Sequence, residues 1–156
     1  MTKIAIFRSV QVLLLWVISS ALSFWYVLVS RNAFLAVLSA WYVKDSSVRA
    51  WQLRFWDKVY FIVLGLGWLI YVFWSEAYYG DGIDSRDLYP RFARTTWPVL
   101  VLLLAVDLLL IYLQGGERSL LRWALVITEG IVGAGLALIA LRSPAKSRPA
   151  PYEQRR

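Results

Sequence analysis

Four long apolar runs decide what this chain can fold into. Val10 to Val29, Val59 to Tyr79, Trp97 to Leu113 and Leu120 to Leu141 each come close to the length at which a helix crosses a hydrocarbon layer. That length is about 20 residues at roughly 1.5 Å each. With 60% of the 156 residues hydrophobic, too little polar surface remains for a water-soluble domain. The fold expected is an all-α integral membrane protein, a four-transmembrane-helix bundle forming one domain over residues 1–141. From Arg142 the composition turns to Pro, Ala, Ser, Lys and Arg, which predicts a disordered basic tail over 142–156. Lys3 and Arg8 before an apolar run, with Ala21-Leu22-Ser23 inside it, share features with a cleaved leader. The run continues unbroken through Phe24 to Val29, so a membrane span is the better reading.

Residues 31–58 do not fit the pattern. Ala33 to Val43 is apolar but only about half a membrane thickness long as a helix. Beyond it Val48, Trp51, Phe55 and Val59 recur at helical spacing, with Arg49, Arg54, Asp57 and Lys58 between them. This predicts an interfacial amphipathic segment between the first and second spans. Trp51 and Phe55 would sit at the acyl boundary while Arg49 and Arg54 reach anionic headgroups.

Composition removes most chemistries. Histidine and cysteine are absent and Met1 is the only methionine. Disulfides, thiolate catalysis, a histidine base, and haem, zinc or copper sites built on those side chains therefore have no residues to supply them. No cofactor is expected. The net charge of +7 falls largely on the flanks of the apolar runs, which fits the lipid bilayer and its anionic headgroups as partner and leaves no continuous groove for nucleic acid.

The polar stretch Gly80 to Thr96 alternates aspartate and arginine. Asp81-Gly82-Ile83-Asp84-Ser85-Arg86 resembles the opening of the CDP-alcohol phosphotransferase signature, a resemblance that implies a membrane enzyme whose aspartates hold metal and diphosphate. The signature continues with a glycine and two further aspartates, and Thr95, Val99 and Leu103 stand there instead. A solvated connector is expected, and no enzyme activity. Trp68, Tyr71 and Trp74 form an aromatic stripe that could cradle a pigment or quinone but more simply packs helices or meets lipid.

Two acids lie inside membrane spans, where an ionisable group is costly and marks a candidate site. Asp107 has Leu103, Leu104, Leu110 and Ile111 as its helical neighbours, so a group on another helix, or a proton, must neutralise it. Glu129 precedes Gly133 by about one turn. It flanks a face on which Gly130 with Ala134, and Gly133 with Ala137, form small-xxx-small pairs that allow close helix approach. In a hairpin of the last two spans the acids lie about 10 and 15 Å from the turn, close enough to meet. Meeting in a low dielectric, they would share one proton. The plainer role is that of neutral acids acting as interhelical glue.

Two function classes follow. The first is a non-catalytic subunit, or a self-associating component of a homo-oligomer or larger membrane complex, packing through Gly130 to Ala137. The alternative is a small proton-coupled transporter or ion pathway using Glu129 and Asp107. Four spans place both termini on one side. The side that holds them carries slightly more of the 17 Lys and Arg, which predicts a multi-pass protein of the cell membrane with cytoplasmic termini.

Overall fold

A computed structural model describes residues 3–41, 49–80, 88–113 and 119–142, and these are almost wholly helical. The helices are α1 (Lys3–Trp41), α2 (Arg49–Gly80), α3 (Leu88–Leu113) and α4 (Leu120–Arg142). All four are long and apolar enough to cross a membrane. In a lipid setting this is the economical solution, because a helix satisfies its backbone donors and acceptors within itself.

The interfacial segment expected over 31–58 does not stand apart. Residues 31–41 complete the 39-residue α1, and 49–58 open the 32-residue α2. No glycine or proline interrupts α1 between Lys3 and Trp41, so nothing in its backbone forces a break at Arg31. Nor does its charge require one. The Arg31 guanidinium donates from Nε to Asp57 Oδ1 at 2.5 Å and from Nη2 to Asp57 Oδ2 at 2.7 Å, a two-pronged pair between α1 and α2. Asp45, Ser46 and Ser47, residue types that can cap a helix, lie outside the described residues.

That pair is one rung of an antiparallel hairpin. Trp16 donates its indole N–H to the carbonyl of Val72, and Trp68 donates to that of Ser20. Ser19 shares a hydrogen bond of 2.5 Å with the Tyr71 hydroxyl, and Phe34 stacks on Tyr60. Two members of the aromatic stripe, Trp68 and Tyr71, thus tie α2 to α1, while Trp74 stacks on Tyr78 of its own helix. Ser19, Ser23, Val27, Ser30 and Ala33 form a buried strip of small side chains along α1, the close-packing pattern that membrane helices use in place of a hydrophobic drive.

The third helix begins at Leu88, nine residues before the expected Trp97, so most of the polar stretch Gly80 to Thr96 is helical. Pro90 occupies the first turn, where a missing N–H is harmless, and Pro98 lies in the interior. The early turns of α3 are tied to α2. Tyr79 and Thr95 share a buried hydrogen bond, and Arg91 donates to the Tyr78 carbonyl at 2.7 Å while its guanidinium lies over the Tyr78 ring. The segment that resembles the phosphotransferase signature, 81–86, lies outside the described residues, as does the tail beyond Arg142.

α3 is the hub. It packs against all three other helices, whereas α4 packs against α3 alone and the α2–α3 contact is small. The described chain is therefore close to a row, α2–α1–α3–α4. On α4 the inward face carries Val126, Glu129, Gly130 and Gly133 at helical spacing. A Cβ on Gly133 would meet Leu100 Cβ at 3.5 Å, and one on Gly130 would meet Leu104 Cδ2 at 3.9 Å.

Candidate functional site

Because α1 and α4 both lean on α3 without packing on each other, a cleft of about 590 Å³ opens between them. Its apolar walls include Trp25, Leu28 and Val29 from α1 and Leu121 and Leu125 from α4, and Leu110 of α3 forms part of the floor. Set into those walls are Asp107, Arg122, Glu129 and, at the α1 side, Arg31 with Asn32.

Asp107 reaches this place because it lies on the buried strip of α3, in register with Thr96, Leu100, Leu103 and Leu110. Its carboxylate meets Arg122 of α4, with Nη2 to Oδ1 at 3.7 Å. Only 13% of the Asp107 side chain and 20% of the Arg122 side chain are exposed, so this ion pair is far drier than a surface one. Glu129 follows Arg122 by seven residues, two turns along the same face, and its carboxyl faces that of Asp107. Glu129 Oε2 is buried and has no hydrogen-bond partner. A buried acceptor without a donor is costly. A proton on that oxygen, or a water beside it, would remove the cost.

No known protein family, no characterised protein and no solved structure matches the chain.

The two acids singled out in the sequence come together in the structure. The expected packing residues divide. Gly130 and Gly133 face α3 of the same chain, Ala137 is half-buried and Ala134 is exposed. Gly130 and Gly133 are thus engaged within the chain. Trp51 and Phe55 are exposed and stacked on each other, Arg54 is exposed, and the Arg49 side chain lies outside the described atoms.

Two cations were missed. Arg122 reads in the sequence as a flank charge at the start of the fourth span, and Arg31 as part of an interfacial segment. The available signal for Arg122 was its seven-residue spacing from Glu129, which places both on one helical face. No local pattern links Arg31 to Asp57, 26 residues away. Among the described residues no group of three or more acidic side chains could hold a metal ion.

Proposed function

We propose that this chain is a small non-catalytic membrane protein whose working part is a proton-binding site on Glu129 and Asp107, serving a proton-coupled transporter or ion pathway. The observation that carries the reading is the buried, unpartnered Oε2 of Glu129 beside the Asp107 carboxyl. Two carboxyls in contact away from water cannot both stay ionised cheaply, so the pair holds one proton between them. Arg122 supports the charge of the acid that remains ionised. The cleft supplies what a static buried acid would lack, a route by which a proton or solute reaches the pair.

A second reading, a subunit packed against another membrane protein or a second copy, rests on the outer side of α4. Ile131, Ala134 and Gly135 are exposed there, and among the described residues no side chain or other helix lies within 4 Å of a Cβ placed on Gly135. Such a surface accepts a closely approaching helix. The charge balance of the flanks supports placement in the cell membrane with cytoplasmic termini.

Vesicles containing the purified protein test the transport reading, with a potassium diffusion potential as driving force and an internal pH dye as readout. The native chain is expected to conduct protons and Glu129→Gln, folded to the same degree, is expected not to. Equal rates would sink the proposal. A stoichiometric partner or defined oligomer in mild detergent would instead favour the subunit reading.

A further inference from the structure

Arg31 occupies two environments at once. It lines the cleft that holds Asp107 and Glu129, and its guanidinium is gripped by Asp57 of α2. Among the described residues, the charged groups that line the cleft with the acid pair are Arg122 from α4 and Arg31 from α1, and the Arg31 guanidinium is bound to Asp57. α2 does not pack on α4. Asp57 therefore acts on the pair from a distance, by its own charge and through the guanidinium it holds. The side chains of Arg31 and Asp57 are 37% and 25% exposed, so the pair is not locked in a dry core.

We propose that Arg31 is a positioning residue that exchanges partners, held by Asp57 while the Asp107–Glu129 pair carries its proton and drawn to the pair when that proton leaves. The driving force is the net negative charge that deprotonation creates in a low-dielectric cleft, acting on a cation that lines the same cleft. A guanidinium suits the task because its planar fork binds a carboxylate at either end. The exchange has a mechanical result. Arg31 belongs to α1 and Glu129 to α4, the two helices that the cleft separates, so a bond between them draws the walls together. Partner exchange thus closes the cleft on the deprotonated state and frees Asp57. This inference rests on the proton-binding reading of Glu129 and deepens it by naming what responds to the proton.

Infrared pH titration of the full chain in bilayers reads the pair through its protonated-carboxyl band. Arg31→Gln removes the cation that stabilises the deprotonated pair, so the band is expected to persist to a pH about one unit higher. Asp57→Asn frees the guanidinium for the pair, so the band is expected to vanish about one unit lower. Opposite shifts show that both charges are felt at the pair, as fixed charges would also be, so the exchange itself is read from the positions of the helices. A second readout needs no change at Arg31 or Asp57. The chain has no native cysteine, so spin labels at Trp25→Cys and Leu125→Cys report the width of the cleft without background. Their separation is expected to shorten as pH rises through the titration and to stay constant in the Arg31→Gln background. If Asp57→Asn fails to fold, the label distance in the chain with native Arg31 and Asp57 decides. Unmoved band positions in both variants, or a constant label distance, would overturn partner exchange while leaving a titrating Glu129 intact. A native chain with no titrating band would instead remove the proton-binding reading beneath it.

Discussion

Asp107 and Arg122 set the energetics of the cleft at the scale of single residues. Stripping the cation from a largely buried carboxylate is expensive, although a 3.7 Å separation and partial wetting reduce the cost. Arg122→Ala is therefore expected to destabilise the protein by about 2 kcal/mol. Adding Asp107→Asn to that variant should recover most of the loss, because the orphaned charge goes with it. Unfolding in mixed micelles, followed by tryptophan fluorescence, measures both. Tyr71→Phe deletes the hydroxyl that meets Ser19 and is expected to cost about 0.6 to 1 kcal/mol in the same measurement, the usual worth of an interhelical hydrogen bond in a bilayer. The need of Asp107 for a partner was legible in the sequence, since every helical neighbour is apolar. The identity of the partner was not. A basic residue near a span end is usually an interfacial flank, and only the α3–α4 contact turns Arg122 inward.

Helix pairs show where sequence reading succeeds and where it stops. The four spans are legible because hydropathy is a local sum over consecutive residues. Their ends are less so. Arg31 and Asp57 look prohibitive inside a hydrophobic helix when counted singly, and they cease to be so once paired across 26 residues. The expected break between Val29 and Val59 therefore shrinks to the connection between Trp41 and Arg49. The start of α3 moved for a similar reason, as Arg91 is satisfied by Tyr78 and does not mark a loop. The α3–α4 seam yields a graded prediction. A methyl at Gly133 meets Leu100 at ordinary contact distance, so Gly133→Ala should fold with unchanged or slightly raised stability. Gly133→Leu must push the helices apart and is expected to cost about 1 to 3 kcal/mol. Gly135→Leu, pointing into open space, serves as the control and should cost almost nothing within the monomer. A large loss at Gly135 with none at Gly133 would mean that α4 packs through its other face.

The whole molecule is a row of helices with an open side, and its proposed function depends on that openness. Had α4 packed on α1 as well as on α3, the acid pair would be sealed and its polarity would serve packing alone. The cleft leaves it reachable from the α1–α4 side, with Trp25, Leu125 and Arg31 among its lining. The tertiary gap is the part that no periodicity in the sequence announces, since it depends on which helices fail to touch. Everything proposed for transport and for partner exchange turns on one physical state, a proton held between Glu129 and Asp107. Infrared difference spectra of the protein in bilayers, taken across the pH range for the native chain and for Glu129→Gln, test that state directly. A protonated-carboxyl band is expected that disappears as pH rises and is lost from the pH-dependent spectrum in the variant. An identical titrating band in Glu129→Gln, or no titrating carboxyl in the native chain, would contradict it.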